Sequence, residues 1–454
     1  MSQLIATTAR CAIVGMGQTG LSLARYCLAK EISFDLFDSR SEPPMAKEMA
    51  AEFPAARQFT GPFDSAKLST YGRLLVSPGV SRNTPALLEA QAAGVELSGD
   101  AQLFFDAASA PVIAITGSNG KSTVTTLVGE MAMASGRKVA VGGNLGTPML
   151  ALLDDSIDLY VVELSSFQLE LLDDCRGAIV ALLNISADHM DRYVDINSYR
   201  LAKQRIYRGA SVALSNRADP LTSGLYANSV KPLRFGLNKP DLRDWGVAEE
   251  QGEPTIFFGM QPIVAIHQLP LRGSHNVANA VAALALGEAA GLEREPMLQA
   301  LKSFKGLAHR CELVAERNGV VYINDSKATN VGAAIAAVEG LTPEGRARII
   351  LLAGGDAKGQ DFANLALCAK SRVKSVVLFG RDAGLLAEAF AQSLPSDSIV
   401  MVGELAEAFA AAVAMAQTDD IVLLAPACAS FDQYPSFEAR GDEFVALVKG
   451  GAVC

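Results

Sequence analysis

At 454 residues the chain is too long for a single core, and two to four domains are expected. Half of its residues are hydrophobic and 19% are charged, the balance of a globular protein, and no apolar run approaches the ~20 residues that would cross a bilayer. A net charge of -10 argues against nucleic acid as a partner, and seven scattered cysteines without a C-x-x-C pair argue against a cysteine metal cage or a disulfide framework.

The first ten residues run into a strand without a charged start, an apolar core or a cleavage site, so a cytoplasmic location is expected. Residues 9–14 read as that strand, followed by Gly15-Met-Gly17-Gln-Thr-Gly20 and a helix through Leu21, Ala24 and Leu28. A second strand, Ile32 to Phe37, ends at Asp38. Glycines in that turn let the backbone approach a diphosphate while the helix N-terminus faces it. Alone the fingerprint suggests NAD, yet the same turn suits any diphosphate. Arg73–Val76, running into Ser77-Pro78-Gly79, reads as another strand with its ligand-facing turn.

Between Asp100 and Pro111 the strand–helix alternation breaks, which places a domain boundary there. It restarts with an apolar run to Thr116, the small-residue loop Gly117-Ser118-Asn119-Gly120, and Lys121-Ser122-Thr123 opening a helix. Val124, Leu127, Val128 and Met131 fall at i, i+3, i+4 and i+7, and Gly136 is the expected C-terminal cap. Loop N–H groups, the positive end of the helix dipole and the Lys121 ammonium together form a cradle for phosphate. The stretch is shorter than GxxxxGK[ST], whose first glycine would fall at Ile115. An ordinary glycine turn is the alternative, and Lys-Ser-Thr directly after the glycine argues against it.

Further on, Asn144 follows Val139–Gly143, and the strand Leu159–Val162 ends at Glu163. A carboxylate there can hold a Mg²⁺ that Ser122 or Thr123 also touches, or it can open the helix Leu164-Ser-Ser-Phe-Gln-Leu as a first-turn acid. Ala178–Leu183 leads into a polar cluster with Asp188, His189 and Asp191. His189 is a candidate metal ligand or proton carrier; of the four histidines, His267 alone stands outside the polar motifs and reads as filler. A polar helix from Ser198 to Arg205 carries Lys203, which its pattern alone assigns to a solvated face. Residues 210–270 read as shorter strands and loops. In the alanine-rich helix after Leu271, Asn276 and Asn279 share a face and could present amides to an adenine edge, or Asn276 could cap the helix.

Phe304–Arg310 reads as a second linker, and the alternation then starts a third time. Strands Val320–Ile323, Ile349–Ala353, Val376–Phe379 and Ile421–Leu424 each end in a polar or glycine-rich turn, as an open α/β sheet requires of its ligand edge. The expected fold is α/β in three domains: a Rossmann-like domain at 1–100, a central P-loop ATPase-like domain with a mainly parallel sheet at 101–306, and a Rossmann-like domain at 307–454.

T-G-S-N-G-K-S-T, G-N-L-G, E-L-S-S-F-Q, D-H-M-D-R-Y, Y-R-L-A-K, G-S-H-N-V-A-N, H-R and N-D-S-K-A-T-N occur in the order found in Mur ligases, and the chain resembles that family over nearly its whole length. G-M-G-Q-T-G, S-P-G-V and S-F-D-Q-Y-P-S-F-E-A-R-G resemble its D-glutamate-adding branch, with mild departures at Gln18 and Ser39. The resemblance implies an ATP-dependent ligase that joins D-glutamate to UDP-N-acetylmuramoyl-L-alanine through an acyl phosphate, as a monomer, in peptidoglycan precursor synthesis. A sibling Mur or folylpolyglutamate-type ligase is the alternative.

Residue by residue, the resemblance implies uridine diphosphate contacts at Gln18, Thr19, Asp38, Ser39, Arg40, Ser77, Gly79 and Asn144. It implies ATP contacts at Gly117, Ser118, Asn119, Gly120, Lys121, Ser122, Thr123, Asn276, Asn279, Arg310 and Asp325. Two Mg²⁺ ions would be held by Ser122, Thr123, Glu163, His189 and Lys203, the last as a carbamate. Lys121, His189, Lys203 and Lys327 would be catalytic, and Thr329, Lys358, Ser430 and Phe437 would position D-glutamate.

Overall fold

The computed structural model describes residues 10–224, 226–271, 273–342 and 348–450, and the statements below concern these residues. They form three sheets. The first joins β1 (Cys11–Val14), β2 (Phe34–Asp38), β3 (Gln58–Thr60), β4 (Arg73–Val76) and β5 (Glu96–Ser98) in the order β3-β2-β1-β4-β5, all parallel. Strand order reverses between β1 and β4, which opens a crevice at their C-terminal ends. The second strand starts at Phe34, two residues later than its composition suggests. Glu31 takes a left-handed conformation (φ 56°) and Ile32 donates its N–H to the Cys27 carbonyl at 2.8 Å, so Ile32 still belongs to the helix end. Ala9, the expected start of the first strand, lies outside the described residues.

The expected break at Asp100–Pro111 holds a helix, Asp100–Ala107, and only the short link after it is irregular. Ala101, Leu103, Phe104 and Phe105 are buried, and the Phe104 ring meets Tyr160 edge-on at 5.3 Å. One apolar cluster therefore runs from Ile13 and Met16 through Phe104 to Tyr160, Leu182 and Ile206.

The second sheet comprises β6 (Val112–Thr116), β7 (Val139–Gly143), β8 (Leu159–Glu163), β9 (Ile179–Leu182), β10 (Val212–Asn216), β11 (Lys231–Phe235), β12 (Trp245–Glu250), β13 (Glu253–Phe258) and β14 (Gln261–Ala265). Its order is β14-β13-β12-β11-β10-β9-β6-β8-β7; pairing is parallel from β7 to β12 and antiparallel from β12 to β14. Every residue of β6 is buried, as a strand covered on both faces must be. One face receives the helices Lys121–Ala134 and Ser274–Ala289, through Val124, Leu127, Val128, Val281 and Leu284.

The third sheet joins β15 (Glu312–Arg317), β16 (Val320–Asn324), β17 (Ile349–Gly354), β18 (Val373–Phe379), β19 (Ile399–Met401) and β20 (Ile421–Leu424) in the order β15-β16-β20-β17-β18-β19, with only β15 antiparallel. Arg440, with no exposed surface, ties the loops after three of these strands. Its guanidinium donates to the carbonyls of Ser326 (2.9 Å), Cys428 (3.1 Å) and Gly354 (3.4 Å) and to the Ser326 hydroxyl (3.0 Å). Burial lowers its pKa to about 10, so it stays charged at neutral pH, held by oriented carbonyl dipoles.

Cys11, Cys27, Cys175, Cys311 and Cys428 are free thiols, three of them buried. His267 is no filler: its side chain is 62% exposed and lies 3.2 Å from Glu253 on the surface. No helix among the described residues is long and apolar enough to cross a membrane.

Candidate active site

The loop Gly117–Gly120 lies between β6 and the helix Lys121–Ala134, as the sequence pattern requires. Gly120 is left-handed (φ 81°), and a methyl group on it would overlap the Asn279 side-chain oxygen, so glycine is needed on two counts. The loop is pinned from behind. Ser118 donates its N–H to the Asn184 carbonyl (2.9 Å) and its hydroxyl to the Ser186 carbonyl (3.0 Å), and Asn119 donates its N–H to the Asn184 side chain (2.8 Å). Lys121 folds back onto its own loop, donating to the Gly117 and Ser118 carbonyls at 2.8 Å each. Burial lowers its pKa, against the pull of Glu163 and Asp188.

Glu163 ends β8 and is buried. The helix after it is capped by Ser165 instead, so the reading of Glu163 as a first-turn acid is set aside. Its carboxylate accepts from the Ser122 hydroxyl at 2.5 Å and from the Asn144 amide at 2.6 Å. Burial pushes its pKa up, but Lys121, these two donors and Arg310 outweigh that and hold it below the ordinary value. Asn144, expected among the uridine contacts, thus stands beside the phosphate loop.

Lys203 is not on a solvated face. Capping of the helix by Asp195 starts it at Ile196, and Lys203 is turned inward, fully buried. Its ammonium nitrogen donates to the Gly117 carbonyl (2.9 Å) and lies 3.5 Å from the Thr116 hydroxyl. Desolvation, reinforced by Lys121, drops its pKa well below 10.5. His189, left-handed at φ 57°, stands at the mouth of the same cavity, 3.7 Å from Asp188. Burial, with Lys203 and Lys121 nearby, lowers its pKa against the pull of Asp188 and favours the neutral imidazole.

Two spaces meet over the loop. A cavity of 780 Å³ is lined by Lys121, Glu163, His189, Lys203, Lys327 and Lys358, with Thr329 also in its wall. A second pocket of 310 Å³ is lined by Thr123, Asn276, Asn279, Arg310, Asp325 and Lys327. Arg310 bridges the second and third domains, donating to the Ser122 hydroxyl at 2.6 Å. Lys327 lies 3.7 Å over the Phe437 ring; burial, with Arg310 and Lys121 close, lowers its pKa to about 8. Burial raises Asp325 to about 6. Ser430 and Phe437 do not line the large cavity; Ser430 is buried in the loop after β20.

The remaining uridine candidates gather at the crevice of the first sheet. Asp38, buried, accepts from the Met16 N–H (2.8 Å) and holds Arg40 through a two-pronged ion pair at 2.9 and 2.7 Å. Gln18 and Thr19 begin the helix after β1, Ser39 follows β2, and Ser77 and Gly79 follow β4, where the Ser77 hydroxyl donates to the Gly15 carbonyl at 3.0 Å. Unforeseen among the cavity residues are Ser186, Tyr199 and Asn330. The Tyr199 hydroxyl is 3.2 Å from that of Ser118, and Asn330 donates to Asp188 across the domains at 3.3 Å. Tyr199 and Asn330 lie in motifs already noted, and Ser186 falls in the stretch between Leu183 and Asp188.

A glycine loop at a helix N-terminus with a buried carboxylate and two inward lysines, roofed by a third domain, has the donors of a nucleotide-phosphate site. The Mur ligase MurD-like N-terminal domain matches residues 9–99, the Mur ligase middle domain 115–287 and the Mur ligase glutamate ligase domain 309–428. The chain belongs to the Mur ligase family. It is 50% identical over 437 residues to the UDP-N-acetylmuramoylalanine–D-glutamate ligase of Pseudomonas aeruginosa, covering 96% of this chain and 97% of that one. Its fold is shared with a pseudomurein peptide ligase type C from Methanothermus fervidus (TM-score 0.59, 17% identity, 97% of this chain and 100% of that one). It is shared as well with the UDP-N-acetylmuramate-alanine ligase of Thermotoga maritima (TM-score 0.58, 18% identity, 98% and 100%).

Proposed function

We propose that this chain adds D-glutamate to UDP-N-acetylmuramoyl-L-alanine at the expense of ATP, in the cytoplasm and as a monomer, as a step of peptidoglycan precursor synthesis. The observation that carries the reading is the convergence of Lys121, Glu163, Lys203 and Lys327 on one cavity, supported by the 50% identity to the Pseudomonas aeruginosa ligase. The proposed domains are 1–100, 101–306 and 307–454; the three sheets lie within these limits.

A carboxylate is a poor electrophile, so amide formation needs activation. The L-alanyl carboxylate oxygen attacks the γ-phosphorus of ATP, the bond to the β,γ-bridging oxygen breaks, and ADP leaves. Lys121, already turned toward the loop, would follow the phosphoryl group and offset its charge. The amine of D-glutamate then attacks the acyl carbon, phosphate leaves from the tetrahedral intermediate, and the amine nitrogen gives up its proton. Lys327, Thr329, Lys358, Ser430 and Phe437 are the proposed amino-acid contacts. Gln18, Thr19, Asp38, Ser39, Arg40, Ser77, Gly79 and Asn144 are proposed for the nucleotide-linked substrate, and Asn276, Asn279, Arg310 and Asp325 for ATP.

The oxygens of Glu163 and Ser122, 2.5 Å apart, fit Mg²⁺, which takes oxygen ligands and favours one or two carboxylates beside substrate phosphates. Glu163, with Ser122 and Thr123, would hold one ion; His189 and a carbamate on Lys203 would hold the second. When bound, the ions neutralise charge on the phosphoryl oxygens. The fit of Lys203 rests on its burial without a contacting carboxylate, which favours the neutral amine that can attack CO₂. Loss of a proton from nitrogen then leaves an anion where a cation would repel metal.

The test is ADP release with UDP-N-acetylmuramoyl-L-alanine and each of several amino acids. D-glutamate is expected to support turnover, and L-glutamate and meso-diaminopimelate almost none. Equal rates with all three would sink the specificity.

A further inference from the structure

Glu170, Arg192 and Tyr193 form a polar network on the border of the first and second domains that the proposed chemistry does not use. The Arg192 side chain is 12% exposed and that of Glu170 9%. Arg192 spends its donors in two directions. Toward the second domain its Nε and Nη2 bind the Glu170 carboxylate at 3.1 and 2.7 Å. Toward the first domain its Nη1 and Nη2 donate to the carbonyls of Pro78 and Val80 at 2.9 and 3.3 Å. The guanidinium also stacks 4.1 Å from the Phe167 ring, and that ring lies 4.8 Å from the imidazole of His189.

The fork is itself braced. Tyr193 donates its hydroxyl to Glu170 at 2.7 Å, and the Arg192 N–H donates to the His189 carbonyl at 2.9 Å. One rigid cation thus fixes the turn that carries His189 against the loop that carries Ser77 and Gly79. We propose that Arg192 is a positioning residue that registers the nucleotide-substrate loop of the first domain on the phosphoryl-transfer site of the second. The inference rests on the ligase reading above. The uridine end of the substrate is held in the first domain and its carboxylate must reach the γ-phosphorus in the second. The distance between the two is therefore set by whatever joins the loop to the His189 turn. A misplacement of about 1 Å at the reacting atoms can cost roughly 100-fold in rate. Lysine carries the same charge but is a point donor, unable to bind a carboxylate with two prongs, reach two carbonyls and stack on a ring together.

The experiment compares wild type, Arg192→Lys and Glu170→Gln by steady-state ADP release, with ATP and UDP-N-acetylmuramoyl-L-alanine varied separately and melting temperature recorded for each. Both variants are expected to raise KM for the nucleotide-linked substrate and lower kcat, each about tenfold or more, with KM for ATP within about twofold of wild type. The double variant is expected to be little worse than either single one, because both remove the same clamp. A merely structural role would lower melting temperature and active fraction while leaving both KM values unchanged, and that result would overturn the proposal, as would wild-type kinetics in Arg192→Lys. Absence of D-glutamate-dependent turnover in the wild type is a different outcome, and it removes the ligase reading itself.

Discussion

At the scale of single residues the site is governed by burial of charge. Lys203 has a polar-helix pattern around it and reads as a surface lysine; only the cap at Asp195, which fixes the helix start, turns it inward beneath Gly117. The sequence carried Lys121, Ser122 and Thr123 openly, because glycine and lysine at a helix start have few other uses. It could not carry the burial of Lys203 or the pairing of Asn144 with Glu163, which depend on contacts between distant segments. If Lys203 works as a carbamate, Lys203→Ala will lose activity that bicarbonate does not restore. Wild-type protein given ¹³C-bicarbonate will show a carbamate carbon resonance that Lys203→Ala lacks. A full-strength Lys203→Ala enzyme would remove the carbamate from the scheme.

Lys327 gives a pH dependence whose sign is fixed. With a pKa of about 8 it is cationic below that value and neutral above it. As a proposed partner of the substrate carboxylate it will hold D-glutamate well at pH 7 and lose it as pH rises through 8. KM for D-glutamate should climb roughly tenfold between pH 7 and 9, approaching a plateau in Lys327→Ala, where only the other contacts titrate. A KM independent of pH over that range in wild type would show that the ammonium does not hold the acid.

At the scale of elements, the β6 loop and its helix were legible because apolar spacing, glycine and a C-terminal cap all agree. The helix Asp100–Ala107 was not. Its Phe104-Phe105 pair, flanked by Asp106 and a run of small residues, has no clear period, and its face is defined by Tyr160, far along the chain. That helix is more than a linker, since Phe104 and Phe105 are buried where the first two domains meet. Phe104→Ala should lower unfolding free energy by about 3–5 kcal/mol, the cost of emptying a packed aromatic site. Denaturant titration will read it, with the first and second domains destabilised together. A variant that loses less than about 1 kcal/mol would mean that the domains are not mechanically joined there.

At the scale of the whole molecule the two domain borders differ in kind. Between the first and second domains the contact is apolar and continuous, reinforced by Arg192. Toward the third domain the side-chain hydrogen bonds at the site are Arg310 to Ser122 and Asn330 to Asp188, and the helix Val331–Leu341 packs on Ser274–Ala289 without a shared apolar cluster among the described residues. A border without a shared apolar core lets domains move more readily than a continuous one. The arrangement suits a catalyst whose roof must lift to exchange ligands and settle to shield an acyl phosphate from water.

The shared cluster through Phe104 also bears on how the protein is made. One face of the first sheet closes largely with local residues: Ala12, Val14, Phe37, Leu74, Val76 and Leu87, with Leu171 the distant exception. The other face, carrying Ile13, Met16 and Leu75, is completed by side chains as remote as Tyr160, Ile206 and Val230. On a ribosome adding about 5–20 residues per second, the first hundred residues emerge roughly 6–26 s before Val230 does. For that interval they present a half-covered sheet to solvent. The nascent chain is thus most exposed to chaperones and to aggregation while its central domain is still being synthesised.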